Sequence, residues 1–379
     1  MAAHIVIAPD KFKGSLSAAE AARAIAQGLR RRNPTLTTVE CPIADGGEGT
    51  LSAALAVGFQ AVEVYAPGPT GDMIRTAYAR RGDTAVVEMA SVSGLGRLVG
   101  GVREPLRASS RGLGVVVSHA LDDGCSHIVI GIGGSAGTDG GAGFLRGLGA
   151  ELIDEAGNSV PEGGGGLASA SALNLANLHP GLADAAVLIA SDVDNSLCGP
   201  HGAAAIYGPQ KGARPDQVAE LDAGLSHWAD LVAQTTGRDL RDAPGAGAAG
   251  GVGFAAIAVL EAEMRPGIDV ILDMVELHDN LAGAFALVTG EGCLDGQSLR
   301  GKAPIGVGLR ALASGVPVFA IVGVSMLTAR EVSESPFAAV YSLHDYEPDA
   351  ERSMVHAGDL LGIAAGDLAE NHLNSLARP

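Results

Sequence analysis

At 379 residues the chain is too long for one ordinary hydrophobic core and long enough for two α/β domains, or one domain with a large insertion. Its 25 basic against 43 acidic residues leave a net charge of −18, so nucleic acid and acidic membrane surfaces are poor partners, and any anionic substrate must be held by a few local cations and backbone N–H groups. No uncharged apolar run approaches the roughly 18 residues of a membrane span, the N-terminal apolar run is too short for a signal segment, and the four cysteines are widely spaced with no C-x-x-C pair, so a cytoplasmic protein with reduced thiols is expected.

In chain order, residues 4–8 read as a buried strand that leads into the loop Asp10-Lys11-Phe12-Lys13-Gly14-Ser15. Ser17 and Glu20 have the spacing of a capping box and open a periodic Ala/Ile/Leu helix to about Arg32. A second strand over 39–43, the loop Asp45-Gly46-Gly47-Glu48-Gly49 and a helix from Thr50 complete a βαβα start. Its loops lie at the carboxyl ends of the strands, where open parallel sheets bind ligands. A hairpin is expected around Arg81-Gly82-Asp83, then a strand over 127–132 in which His127 reads as a core histidine, and a strand over 186–191. From 285 the first rhythm returns: strand 285–289, a Gly-rich loop, helix 304–314, strands 316–322 and 337–343, and a C-terminal helix. The fold class is therefore α/β. Residues 1–66 and 286–379 are expected to form one parallel-sheet domain, with 67–285 inserted as a second and the active site in the cleft between them.

Several strand-end loops carry the residue types of phosphate chemistry. The richest, 290–304, includes Gly290, Asp295, Gly296, Gly301 and Lys302. Gly296 to Lys302 fits G-x-x-x-x-G-K, but Ala303 replaces the Mg²⁺-binding hydroxyl and the preceding strand ends too early, so it is not a Walker A loop. Pro304 still suits the first turn of a helix, so Lys302 and the free N–H groups there could hold a phosphate together. Asp295 beside them could bind Mg²⁺ or accept the proton of an acceptor hydroxyl. The run Gly131-Ile132-Gly133-Gly134-Ser135-Ala136 matches the loose G-x-G-x-x-A dinucleotide pattern, which makes an NAD(P)-dependent oxidoreductase the rival reading, with Glu151 or Asp154 near the ribose. Asp139, close behind, would repel a pyrophosphate unless Mg²⁺ lay between them. Asp192 and Asp194 end a strand with Asn195 and can converge on one cation or simply make Asx turns.

Of the 25 basic residues only Lys11, Lys13, Lys211 and Lys302 are lysines, each in a glycine-containing loop, where a compact ammonium suits close phosphate approach better than a planar fork. The number of acid and glycine loops is what favours phosphoryl transfer. That reaction needs cations and N–H groups for three phosphates, one or two acids for Mg²⁺, and one acid near the acceptor.

The segments 8–15, 44–49, 133–143, 192–199, 208–212, 245–251 and 289–304 match, in order and nearly end to end, the pattern of the bacterial class I glycerate kinase family, which the chain resembles. The resemblance implies a flavodoxin/Rossmann-like domain built from both chain ends and carrying a large inserted α/β domain. It implies ATP and Mg²⁺ as cofactors, D-glycerate as acceptor and 2-phosphoglycerate rather than 3-phosphoglycerate as product, in a monomer or homodimer. The chain departs from the family pattern at Ser109-Ser110-Arg111-Gly112, Gly137-Thr138, Ser191 and Cys293-Leu294, none of which removes a carboxylate or a lysine.

For such a kinase the expected catalytic residues are Asp295, Lys302, Asp192 and Lys11. Phosphate and substrate would be bound by Asp10, Lys13, Ser15, Gly133, Gly134, Ser135, Lys211, Gly290, Gly296 and Gly301. The candidate metal ligands are Asp192, Asp194, Asp45, Glu48 and Asp139.

Overall fold

The computed structural model describes residues 4–373 apart from Gln297, Gly301 and Lys302. Its principal strands are β1 His4–Pro9, β2 Thr38–Glu40, β3 Gln60–Pro67, β4 Met73–Arg81, β5 Thr84–Glu88, β6 His127–Gly131, β7 Ala186–Ala190, β8 Glu263–Arg265, β9 Ala284–Gly290, β10 Val318–Val322 and β11 Ala339–Ser342. The chain divides into two compact units. The first holds residues up to Asp45, Ser52–Gly58 and Ile268 onward; the second holds Gly46–Leu51 and Phe59–Gly267.

In the first unit β1 lies inside a five-stranded parallel sheet ordered β11-β10-β9-β1-β2. Every residue of β1 is buried, as a strand covered on both faces requires. Ile5 and Ile7 point to one face, against the helix Ala18–Arg32 and the C-terminal helix Ala357–Leu368; Val6 and Ala8 point to the other, with Val307 and Ala311 of the helix Ala303–Ala313. The capping box forms as expected: Glu20 N–H donates to the Ser17 hydroxyl at 3.3 Å and Ser17 N–H to the Glu20 carboxylate at 2.9 Å. Gly28 lets the first helix touch the last, since a Cβ there would lie 2.2 Å from the Gly362 carbonyl. Counted along this unit alone, the strand order is 2-1-3-4-5, the doubly wound flavodoxin-like order, with its switch point at β1 and β9.

The second unit carries a six-stranded sheet ordered β8-β7-β6-β5-β4-β3, in which β5 to β8 run parallel and β3 and β4 antiparallel. The expected hairpin at 81–83 is present, pairing Arg81 with Thr84. Trp228, Phe144 and Phe254 are fully buried in its core.

Two expectations are corrected. Residues 60–66, placed with the first domain, form β3 and pair along their whole length with β4, so they belong to the second sheet. His127 is the exposed first residue of β6, its Nδ1 3.3 Å from Asp83, because the alternation of the strand turns it away from Ile128 and Ile130.

Candidate active site

In the first unit the chemistry-bearing loops leave the carboxyl ends of β1, β2 and β9. Asp10 N–H donates to the Gly290 carbonyl at 2.8 Å, extending the pairing of β1 with β9 by one residue. Only glycine fits at 290, since a Cβ would sit 1.9 Å from the Ile321 carbonyl. Phe12 is the anchor of the next loop. Its buried ring holds the turn to the core, its N–H and C=O close on Leu16, and Gly14 turns at φ +82°. That leaves Lys11 and Lys13 on either side of a pinned residue. Lys11 Nζ stands 4.0 Å from Asp45, where residues 41–43 run on beside β1 through Cys41 and Ile43 N–H groups. Lys13 is exposed and Ser15 half-buried.

Across the switch point, Glu291 is buried and the short parallel pair Cys293–Leu294 with Val324–Ser325 steadies the segment that carries Asp295. One Asp295 oxygen accepts from Ser298 N–H at 2.9 Å, fixing the carboxylate at the head of a turn in which Gly296 is exposed. Gly301 and Lys302 lie outside the described residues. Two ammonium groups and several carboxylates thus surround the position where a sheet of this order receives its ligand.

In the second unit, segment 46–51 lies across the carboxyl ends of β5 to β8. A Cβ on Gly131 would be 2.7 Å from the Gly46 carbonyl, and one on Gly46 would be 2.9 Å from the Gly267 Cα. The segment is tied down by Glu88, a buried carboxylate that accepts from Gly49 N–H at 2.9 Å and Leu51 N–H at 3.0 Å. Sequence reasoning missed Glu88. The signal was an acid closing the apolar run Ala85 to Val87, but its partners are some forty residues away. Glu48 is exposed on the segment that Glu88 holds.

Asp192 and Asp194 are exposed, and Asp192 accepts from Gly267 N–H at 2.7 Å at the start of the helix Gly267–Met274. After β6, the loop 133–136 is clamped by Leu95 N–H on the Gly134 carbonyl at 3.0 Å and by Ala136 N–H on the Ser93 carbonyl at 2.9 Å. Between the clamps, with Gly134 at φ +75°, the N–H groups of Gly134 and Ser135 and the Ser135 hydroxyl meet no acceptor among the described residues. Successive free N–H groups around a left-handed glycine form a concavity for an anion.

Three expectations fail on geometry. Asp139 is not placed to bind a metal: it is 1% exposed and its two oxygens accept from Ser110 N–H at 2.7 Å, the Ser110 hydroxyl at 2.8 Å, Gly141 N–H at 3.1 Å and Gly143 N–H at 3.2 Å. Burial pushes its carboxyl up from the usual range, against the pull of the Ser110 and Gly141 donors. Lys211 is not placed to meet a phosphate: it is 2% exposed and its ammonium donates to the Gly137 carbonyl. The glycines from 131 do not open a helix, because the chain runs irregularly to Ala142 before one begins, so no helix N-terminus is offered to a dinucleotide pyrophosphate. Among the described residues no three His, Cys, Asp or Glu side chains gather as a metal cluster, and no helix is long and apolar enough to cross a membrane.

The family model of the glycerate kinase family matches residues 5–372. The chain is similar to the glycerate kinase of Bacillus subtilis (strain 168), 40% identical over 368 residues that cover 96% of each protein. It is similar to the glycerate 2-kinase of Escherichia coli (strain K12), 43% identical over 343 residues, 89% of this chain and 90% of that one. A solved structure from Salmonella typhimurium LT2, assigned as glycerate kinase 2, superposes with a TM-score of 0.87 at 39% identity and covers 99% of both chains. The nicotinamide reading finds no support in these relatives.

Proposed function

Because the chain belongs to the glycerate kinase family, we propose that it moves the γ-phosphoryl group of ATP onto the 2-hydroxyl of D-glycerate, giving 2-phosphoglycerate and ADP. That it is an ATP-dependent glycerate kinase follows from the family; the hydroxyl, the metal ion and the roles of single residues are our reading. The name of the Escherichia coli relative, a glycerate 2-kinase, supports the 2-hydroxyl.

The observation that carries the assignment of roles is the pinned loop at the switch point, which sets Lys11 and Lys13 on either side of Phe12. These two ammonium groups, with Lys302, neutralise phosphate oxygens of the nucleotide. Asp295, oriented by Ser298, holds the acceptor hydroxyl and takes its proton as the oxygen attacks. Ser15 and the donors of Gly134 and Ser135 grip anionic oxygens of the substrates. Mg²⁺ suits the donor set, which is all carboxylate, because the ion takes one or two protein carboxylates and fills the rest of its shell with water and phosphate. Asp192 and Asp194, or else Asp45 or Glu48, are the residues that would hold it, and the ion would supply charge neutralisation at the phosphates.

The test is purified protein with D-glycerate, ATP and Mg²⁺, with enolase added in one reaction and withheld in another. ADP release with onward conversion to phosphoenolpyruvate places the phosphate on the 2-hydroxyl. ADP release that enolase cannot extend places it on the 3-hydroxyl and refutes the regiochemistry.

A further inference from the structure

Lys211 is a charged side chain buried in the second unit where no step of the reaction uses it. Its ammonium lies under the loop that follows β6, donating to the carbonyl of Gly137, two residues beyond Ser135. An ammonium taken out of water is costly unless something in the fold needs it there, and a methionine of similar volume would fill the same space.

The surroundings show what it holds. Leu95 and Ser93 fix residues 134 and 136 from one side. Asp139 fixes the far end of the loop to Ser110, Gly141 and Gly143, and Trp228 fixes Gly140 through an indole N–H donated to its carbonyl at 2.9 Å. Gly250 closes over the same stretch, since a Cβ there would lie 2.2 Å from the Gly137 carbonyl oxygen. Between the Ala136 clamp and Asp139, the hydrogen bond from Lys211 is the one side-chain tie on the loop among the described residues. The charged groups about it are Asp139 on the loop itself, Glu162, which acts on Asp139, and Arg103, whose side chain packs beside Gly212.

We propose that Lys211 is a positioning residue: by holding the Gly137 carbonyl it keeps the Gly134 and Ser135 N–H groups turned outward as a cradle for a substrate anion, either the glycerate carboxylate or a nucleotide phosphate. The proposal rests on the reading that those donors bind substrate. A charged donor holds a carbonyl more firmly than a neutral amine, and burial lowers the Lys211 ammonium to about 8 against an opposing pull from Asp139. The hold therefore weakens as pH rises through that value.

Wild type, K211M and S135A are compared by steady-state kinetics from pH 7 to pH 9.5, varying glycerate and ATP in turn, with thermal unfolding of each variant as a folding control. In wild type the KM of one substrate rises above about pH 8 while kcat changes little; in K211M that KM is raised about tenfold at pH 7, a loss of some 1.4 kcal/mol of binding, and no longer rises with pH. Which KM moves identifies the anion as carboxylate or phosphate. The wild-type profile needs no variant to fold, and KM values that stay flat with pH for both substrates overturn the proposal. A raised KM in S135A with K211M unaffected overturns the role of Lys211 alone; unaffected KM values in both variants overturn the cradle, and the proposal with it.

Discussion

Replacing Asp139 by alanine separates a structural carboxylate from a metal ligand. The substitution removes the acceptor of three backbone N–H groups, those of Ser110, Gly141 and Gly143, and of the Ser110 hydroxyl, all in the interior of the second unit. A donor that loses its acceptor in such a place costs roughly 1–1.5 kcal/mol once water has entered the space left by the side chain. Four of them give about 4–6 kcal/mol, as against a total stability of about 5–15 kcal/mol for an ordinary domain. For a unit of this size each kcal/mol moves Tm by about 2–4 °C, so a fall of about 8–24 °C is expected. The assay is calorimetric or circular-dichroism melting of wild type and D139A in the same buffer, with and without excess Mg²⁺. Melting within about 2 °C of wild type would refute the hydrogen-bond accounting. A normal Tm together with a sharply raised Mg²⁺ requirement would return Asp139 to the metal site.

Two further substitutions test the first unit. Lys11→Met takes away an ammonium at the end of β1, and a lost charge-assisted contact of about 1.5–3 kcal/mol raises the KM for ATP by about 10–150-fold while leaving that for glycerate alone. An unchanged KM for ATP in the same kinetic assay would remove Lys11 from the phosphate site. Asp295→Asn keeps the turn but not the base, so single-turnover phosphorylation slows by about 10²–10⁴-fold while nucleotide affinity, read by titration, stays within about threefold. Wild-type turnover in D295N would assign the proton to another group.

What could be read in the sequence was whatever local spacing encodes. The capping box at Ser17 and Glu20, the buried run of β1, the hairpin at Gly82 and the loops closing the strands are set within a few residues of chain, and each is found. What failed depended on partners far away. Residues 60–66 have the same alternating composition whichever sheet receives them, and only the pairing with β4 decides. Lys211 shares its glycine-flanked loop context with Lys11 and Lys13, yet the turn Pro209–Lys211 folds it inward, so composition grouped it with lysines from which its burial sets it apart. Glu88 went unseen for the same reason, its role existing only once segment 46–51 crosses the end of β5.

The net charge of −18 bears on the candidate loops of each unit. A nucleotide polyanion approaching such a chain meets a repulsive field, but at physiological salt that field decays over about 8 Å. Inside that distance the nearest donors decide the sign. The first unit answers with two ammonium groups held apart by a buried phenylalanine, one of them beside the Asp45 carboxylate. The second answers with no exposed lysine at all, since its only lysine is turned inward and the donors it offers between the clamps are backbone N–H groups and a hydroxyl. Backbone dipoles add no net charge and require no counter-ion when the site is empty. They act only if the peptide planes are fixed beforehand, which is why a buried ammonium spent on the Gly137 carbonyl makes physical sense.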